Sequence, residues 1–282
     1  MIVTVTVLAV PAVDAELGAD RLMQAGAFAV EERVGAGGLV ELRAVLADSE
    51  SAAGERIGDD LPGGWSIHNE TIDDTGADTW RDYARPVAVT PDLVLRPAWL
   101  PEDRAADVTE VAIEPGATFG LGDHPTTRLC AAAIWRTRPA PPRVLDVGAG
   151  SGVLAIVALL AGAHAATAID IADVSPAVVA DNARRNGMAH RIRASTTPLE
   201  HIDDEFDLVV ANILAPELIG LAPHLVRVTA AGGVMLLSGM LDGRYEHVVA
   251  ALAPLELTRV DTLEGWVAVT LHRPVSDTCA RE

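Results

Sequence analysis

From Val144 onward, short apolar segments alternate with segments of helical spacing, and this alternation limits the possible folds more than any other feature of the chain. The apolar segments read VLDVG, ATAIDI, FDLVVANIL and VMLLSGM, and a helical segment follows each of the first three. Ser175 and Pro176 predict the start of the second helix, with Ser175 as its cap, and Gly187 predicts its end. Strands that alternate with helices form a parallel sheet with right-handed crossovers. Residues 142–271 are therefore predicted to form a doubly wound α/β domain.

The N-terminal residues follow a different pattern, which we interpret as a smaller unit. An alternating strand at residues 3–7 precedes helical spacing at 14–27, and further strands are expected at 39–46 and 65–69, with a turn at 59–64. This order predicts an α+β domain over residues 1–78. Residues 79–112 contain four of the prolines, Pro86, Pro91, Pro97 and Pro101, which favour an extended linker over a helix. The second domain is then expected over residues 113–282.

The composition excludes several classes of protein. The chain has 282 residues with 40 acidic and 21 basic side chains, a net charge of −19, and all of its basic residues are Arg. Without Lys, neither a Walker-type phosphate loop nor a Schiff base with pyridoxal phosphate can form. The negative charge disfavours broad binding to nucleic acid and suits a basic partner, although it also serves solubility alone. Cys130 and Cys279 lie in different regions and form no CxxC motif, so no metal site or disulfide is indicated.

The apolar N-terminus lacks the basic residues of a signal peptide, and no apolar run approaches the length of a membrane span, which is about 18 residues. We therefore expect a cytoplasmic protein without a membrane partner.

The end of the first strand of the α/β domain is a candidate ligand site. It reads Asp146-Val147-Gly148-Ala149-Gly150-Ser151-Gly152, and ligands of such sheets bind at the carboxyl ends of the strands. The dinucleotide fingerprint GxGxxG fails, since its last position falls on Val153. The GxGxG spacing with a preceding Asp is typical of class I S-adenosylmethionine methyltransferases. A tight strand-to-helix turn without a ligand is the alternative.

Polar residues also follow the next two strands. Asp170 lies 22 residues after Gly148, where a carboxylate can accept hydrogen bonds from both ribose hydroxyls of an adenosine ligand. Its alternative is a helix-capping or solvated Asp, and nearby Asp173 fits that description better. Asn212 could hydrogen-bond the reacting end of a ligand or an incoming amine, but Asn is also common in turns. Position alone does not decide between these two readings of Asn212.

A Gly-rich segment, residues 114–130, precedes the α/β domain and opens a helix. Such a loop can fold over a ligand, with the hydroxyls of Thr126 and Thr127 as donors or as helix caps. His124 has no second metal ligand at a suitable spacing and is expected to structure the loop.

Together these motifs resemble the bacterial ribosomal protein L11 methyltransferase (PrmA) family. The matching segments, in order, are WRDYARP, IEPGATFGLGDHPTTRLC, VLDVGAGSGVLAIVALLAGA, AID, DNARRNG, ANILA and EGWV. They keep the spacing of the family over about residues 65–273, whereas the first 60 residues match only in general pattern. The resemblance implies a Rossmann-like methyltransferase domain, with a ferredoxin-like N-terminal domain that recognises a protein substrate.

Carried over position by position, the resemblance places cofactor contacts for S-adenosylmethionine on Thr127, Gly148, Asp170 and Asn212. The glycine turn adds Gly150, and Asn212 is also the candidate catalytic residue. The sequence departs from the family at Leu121 and Asp123, which replace two Thr, and at Ala172, which replaces an acid. Pro176 lies later than the corresponding Pro. These departures concern the methyl end and the adenine side of the cofactor.

The function implied is methyl transfer from S-adenosylmethionine to amino groups, on Lys side chains or the N-terminus, of a basic large-subunit ribosomal protein. A relative that methylates another protein or a small amine is the first alternative. A nicotinamide oxidoreductase and a non-catalytic binding protein are two others. The failed fingerprint at Val153 is evidence against the oxidoreductase. The intact set of Gly148, Gly150, Gly152, Asp170 and Asn212 is evidence against a degenerate site.

Overall fold

A computed structural model describes residues 2–24, 27, 30–44, 61–73, 84–102, 107–116, 118 and 121–275. The chain divides into two compact units, Met1–Ala84 and Arg85–Glu282. Within the described parts of the chain, no helix is long and apolar enough to cross a membrane.

The first unit is an antiparallel sheet with one described helix. Its elements are β1 (Ile2–Pro11), α1 (Ala15–Gln24), β2 (Glu31–Val34), β3 (Leu39–Ala44) and β4 (Ser66–Asp73). The strand order is β2-β3-β1-β4, and all neighbours are antiparallel. This order is that of the ferredoxin-like sheet that the family resemblance implied. Leu8 of β1 lies opposite Leu42 of β3, and both are fully buried together with Leu22 of α1.

The helix and three of the four strands were predicted from the sequence. The strand β2 was missed, because its residues Glu31, Glu32 and Arg33 are charged and exposed, as is common on a sheet edge. Close packing of α1 depends on Gly18, where an added Cβ would lie 2.5 Å from Leu42 Cδ1. Within the predicted turn at residues 59–64, Gly63 and Gly64 form a turn, and residues 59–60 lie outside the described part of the chain. Residues 45–46, the end of the strand predicted at 39–46, also lie outside it.

The second unit begins with a small sheet where the sequence predicted an extended linker. Its strands are β5 (Val87–Thr90), β6 (Leu93–Pro97) and β7 (Thr109–Ile113). Strands β5 and β6 are antiparallel, whereas β6 and β7 are parallel. The prolines indeed prevent a helix, but Pro91 lies in the β5–β6 turn and Pro97 ends β6, two positions at which a sheet tolerates proline. The linker prediction is therefore corrected for residues 87–97 and 109–112. The assignment of functional domains to residues 1–78 and 113–282 stays a prediction.

The main sheet has seven strands in the order β10-β9-β8-β11-β12-β14-β13. Their bounds are β8 (Arg143–Val147), β9 (Ala165–Ile169), β10 (Ile192–Ser195), β11 (Phe206–Asn212), β12 (Thr229–Leu241), β13 (Glu256–Leu263) and β14 (Trp266–His272). Strands β8 to β12 run parallel, and β14 is antiparallel to both of its neighbours. The order reverses between β8 and β11, and this switch point is where a ligand of such a sheet binds.

Helices cover both faces of the sheet. They are α2 (Pro125–Arg136), α3 (Val153–Leu160), α4 (Ser175–Arg185), α5 (Ala215–Val228) and α6 (Glu246–Ala251). One buried cluster joins α2, α3 and α4 to Val144 and Val210, and a second joins α5 and α6 to Leu145 and Val209. Adjacent residues of β8 and β11 thus face opposite layers, as the alternating directions of strand side chains require. The predicted doubly wound fold is confirmed.

Three details differ from the sequence prediction. The short edge strand β10 and the β13–β14 hairpin were not predicted, and the hairpin makes the sheet mixed rather than fully parallel. The helix after FDLVVANIL ends at Val228, four residues before Gly232, at which the sequence pattern places its end. Ser175 does not cap α4 but is its first residue, and its hydroxyl donates to Gly150 O at 2.8 Å. The expected stop at Gly187 is present, with a φ of 72°.

Candidate active site

The glycine turn between β8 and α3 lies at the switch point of the sheet. Gly148, Gly150 and Gly152 have φ values of 70°, 52° and 78°, a region that other L-residues rarely adopt. An added Cβ on Gly148 would lie 2.4 Å from Ile213 Cγ2, and one on Gly152 would lie 2.9 Å from Val179 Cγ1. The three glycines therefore permit both the sharp turn and the close approach of neighbouring elements.

Asp146, near the end of β8, binds the helix α3 that follows the glycine turn. Its side chain is buried and accepts a hydrogen bond from the backbone N–H of Ala155 at 3.0 Å. Burial is the largest influence on the acid and raises the pKa of Asp146 to about 7, an effect that the Ala155 hydrogen bond opposes and the charge of Asp170 adds to.

Asp170 follows β9, and its carboxylate lies against the glycine turn. Oδ2 accepts from the backbone N–H of Gly150 at 2.7 Å, and Oδ1 accepts from the backbone N–H of Ala172 at 2.9 Å. Each oxygen has a further lone pair, so the half-buried carboxylate can still accept two hydroxyl donors. The hydrogen bond to Gly150 places this acid beside the turn that follows β8. Sequence spacing alone did not establish that contact.

Asn212 ends β11 and is brought next to Thr127 of α2. Asn212 Nδ2 donates to Thr127 Oγ1 at 3.4 Å, and Thr127 is almost fully buried. The next residue, Ile213, is enclosed by two glycines. Besides Gly148, Gly239 of β12 leaves room for it, since an added Cβ on Gly239 would lie 2.1 Å from Ile213 O. Gly239 has a φ of 95° and was not identified from the sequence.

His124 is the N-cap of α2, which agrees with its expected structural role. Its Nδ1 accepts from the backbone N–H of Thr126 at 3.4 Å and lies 2.7 Å from Thr126 Oγ1. Burial, the largest influence, lowers the pKa of His124, which favours the neutral ring that an accepting Nδ1 requires. The ring also meets Trp266 edge-to-face, with centroids 4.9 Å apart. The capping group is therefore His124 and not one of the two Thr hydroxyls.

The β13–β14 hairpin holds α2 through ion pairs as well. Arg128 lies 3.0 Å from Glu264, and Arg136 lies 2.5 Å from Asp261. Glu264 has a φ of 53° and forms the two-residue turn of the hairpin with Gly265. The EGWV segment of the sequence thus contacts the same helix that presents Thr127.

The structure brings the five predicted site residues to one edge of the sheet. Thr127 and Asn212 form one pair, Gly150 and Asp170 form another, and Gly148 reaches Ile213, the neighbour of Asn212. Residues 117, 119 and 120 of the Gly-rich loop lie outside the described part, as does most of WRDYARP.

The residues around these five were not all found from the sequence. Leu121 is half-buried and Asp123 is exposed, while Ala172 contributes a backbone N–H to Asp170. Those three positions were noted in the sequence as departures from the family. Ile171, which is 87% exposed beside Asp170, was not identified from the sequence. In the described ranges, no group of three or more His, Cys, Asp or Glu side chains could hold a metal ion.

The order of the main sheet, with antiparallel β14 between β12 and β13, and the glycine turn that binds Asp170 after β9 fit the class I S-adenosylmethionine-dependent methyltransferases. Residues 43–274 match the family model described as ribosomal protein L11 methyltransferase (PrmA), and the chain belongs to this family. S-adenosylmethionine is accordingly its cofactor, and the nicotinamide alternative is excluded.

Individual relatives agree with the family match. The ribosomal protein L11 methyltransferase of Syntrophotalea carbinolica is 42% identical over 191 residues, which cover 66% of this chain and 61% of that protein. The ribosomal protein L11 methyltransferase of Sorangium cellulosum is 38% identical over 298 aligned positions, and the match covers 92% of each chain. A crystal structure of the ribosomal protein L11 methylase of Lactobacillus delbrueckii subsp. bulgaricus has a TM-score of 0.62 at 32% identity, and the match covers 67% of this chain and 98% of that one.

Proposed function

We propose that this chain transfers methyl groups from S-adenosylmethionine to amino groups of a large-subunit ribosomal protein, for which L11 is the first candidate. The observation on which this rests is that Asn212 and Thr127 meet at the same sheet edge at which Asp170 reaches the glycine turn. The names of the relatives support the choice of substrate.

The residues of the site fit the cofactor. The Asp170 carboxylate has free lone pairs for two ribose hydroxyls, and the exposed apolar side chain of Ile171 beside it offers a surface for the adenine base. Gly148 and Gly150 allow the backbone to approach the cofactor closely. Thr127 and Asn212 are then left for the methionine end, where the methyl group is.

The bound cofactor supplies a methyl group that its positive sulfur already activates for in-line displacement by an amine. The task of the chain is therefore to position a neutral amine. A Lys amine with a reference pKa of about 10.4 costs about 4 kcal/mol to deprotonate at a pH of about 7.4. Asn212 Oδ1 and the backbone carbonyls after it can accept amine hydrogens and direct the lone pair. A general base is not required if water takes the proton.

The charge of the chain suits such a substrate. A net charge of −19 attracts a basic ribosomal protein and speeds its encounter with the enzyme. We assign recognition of that protein to the predicted N-terminal domain, residues 1–78, and catalysis to residues 113–282. A ribosomal protein substrate places the reaction in the cytoplasm, and the same negative charge disfavours direct binding to nucleic acid.

The test is to incubate the purified chain with methyl-labelled S-adenosylmethionine and ribosomal proteins of the same organism, and then to identify the labelled protein and residues by mass spectrometry. We expect label on amino groups of L11 and far slower labelling with the Asn212→Ala variant. Label on a different protein or on a small amine would assign another substrate to the same site. No transfer to any amine would refute the proposal.

A further inference from the structure

The DNARRNG motif lies on α4, and its two Asn side chains bind the open edge of β7. Asn182 Oδ1 accepts from the backbone N–H of Glu114, and its Nδ2 donates to Glu114 O, both at 2.9 Å. One helical turn later, Asn186 makes the same pair of hydrogen bonds with Ala112, at 2.9 and 2.8 Å. The two amides thus pair with β7 as a neighbouring strand would.

Asn182 has one contact that Asn186 lacks. Its Nδ2 also donates to Ser151 O at 3.0 Å, and Ser151 lies between Gly150 and Gly152 in the glycine turn. The side chain of Asn182 is fully buried, and its hydrogen bond to Ser151 O is shielded from water. One amide therefore joins the glycine turn to the end of β7.

The same face of α4 supports the glycine turn at two further points. Ser175 Oγ donates to Gly150 O at 2.8 Å, and Val179 packs where a Cβ on Gly152 would otherwise lie. Residues 175, 179 and 182 follow helical spacing, so one side of the helix contacts the whole turn. Asn182 is the only one of the three that also binds β7.

Glu114, which Asn182 binds, is the first residue of the Gly-rich segment, residues 114–130, which also contains Thr127. Pro115 and Gly116 follow directly, and Thr118 donates to Pro115 O at 2.7 Å. Asn182 therefore binds two places at once. One is the first residue of the segment that contains Thr127, and the other is the turn that contains Gly150.

We propose that Asn182 is a positioning residue for cofactor binding, which fixes the glycine turn and the backbone at Glu114, directly after β7, relative to each other. This inference rests on the proposed cofactor site. Asn suits this role because it offers two N–H donors and one acceptor, and all three are used here. An Asp of the same shape would face the carbonyl oxygens of Ser151 and Glu114 with an acceptor, leaving both without a donor.

Asn186→Asp is the matched control for Asn182→Asp. Both changes disrupt one pair of hydrogen bonds to the edge of β7, and Asn186→Asp also removes the hydrogen bond from Asn186 Nδ2 to Asn182 O at 2.8 Å. Only Asn182→Asp removes the hydrogen bond to the glycine turn. Binding of S-adenosylhomocysteine is measured by calorimetry, and KM for S-adenosylmethionine and kcat are measured with the protein substrate.

We expect Asn182→Asp to raise the Kd and the cofactor KM by about tenfold or more, with kcat at saturating cofactor changed less than about threefold. Asn186→Asp is expected to leave both constants within about threefold of wild type. Equal effects of the two changes, at similar melting temperatures, would overturn the inference. If Asn182→Asp does not fold, the neutral pair Asn182→Ala and Asn186→Ala is compared in the same way. A wild-type chain that binds no cofactor would instead refute the proposed site itself.

Discussion

Asn212 donates a hydrogen bond from Nδ2 to Thr127 Oγ1 at 3.4 Å, although 85 positions separate the two residues in the chain. The bond connects the carboxyl end of β11 to the first turn of α2. With Nδ2 directed at Thr127, Oδ1 is the atom that we propose accepts an amine hydrogen. The bond places Asn212 beside Thr127, the other residue proposed to lie at the methionine end of the cofactor.

Replacing Asn212 with Ala is expected to lower kcat/KM by about 100-fold while the fold is retained, because the amine loses the acceptor that directs its lone pair. Turnover is measured with labelled cofactor and folding by circular dichroism. Thr127→Ser is the control, since it keeps the hydroxyl that accepts from Asn212, and its activity is expected to stay within about threefold of wild type. Near-normal turnover of Asn212→Ala would remove this residue from the mechanism.

Replacing Asp170 with Ala is expected to weaken cofactor binding about tenfold or more, because two ribose hydroxyls lose a charged acceptor and Gly150 N–H loses its partner. Calorimetric titration with S-adenosylhomocysteine measures the change. Asp173→Ala is the matched control, as this acid is exposed and close in the chain, and it should bind the cofactor as wild type does. Equal affinities of the two variants would contradict the assignment of Asp170 to the ribose.

Asp146 is expected to make stability depend on pH. Burial raises its pKa from 3.8 to about 7, so between these values the folded chain binds a proton that the unfolded chain releases. Stability from this group is therefore present at low pH and lost as pH rises through 7, by about 4 kcal/mol at most. Urea unfolding at pH 5, 6.5 and 8 should show this decrease in wild type and a smaller one in Asp146→Asn. The same slope in both proteins would show that Asp146 does not titrate in this range.

Much of the α/β domain could be predicted because its strands are short apolar segments with glycine-rich ends. The positions of Gly148 and Asp170 follow from the rule that ligands bind where such strands end. The β13–β14 hairpin could not be predicted in the same way, since most of β13 is exposed and its side chains are polar or mixed. The strands in residues 87–113 were missed for another reason, because prolines at turns and strand ends look the same in a sequence as prolines in a linker.

The contacts between elements were not accessible from local pattern at all. Nothing near Asn182 in the sequence indicates that it binds both Ser151 and Glu114, because these partners lie 31 and 68 positions away. Ser175 was expected to cap its helix, a local role, and instead binds Gly150. Such pairings depend on how helices pack on the sheet, and packing is decided by the whole chain rather than by a segment.

Gly239 is expected to be required for the geometry of Asn212, although it contacts no substrate. In Gly239→Ala, the new Cβ would lie 2.1 Å from Ile213 O, and the φ of 95° would add backbone strain. Since backbone atoms cannot rotate away as a side chain can, either β12 or Ile213 must move, at a cost of about 2–4 kcal/mol. Movement of Ile213 displaces the adjacent Asn212, so activity per folded molecule should fall about tenfold or more.

Gly243→Ala is the control that distinguishes the effect of backbone strain from the effect of displacing Ile213. Gly243 also has a positive φ, 75°, but nothing lies within 4 Å of an added Cβ. This change should cost only the strain of about 1–2 kcal/mol and leave turnover unaltered. Urea unfolding gives the stability of both variants, and kcat is measured below the temperature at which either begins to unfold. If Gly239→Ala loses stability but retains wild-type kcat, then the enclosure of Ile213 serves the fold alone.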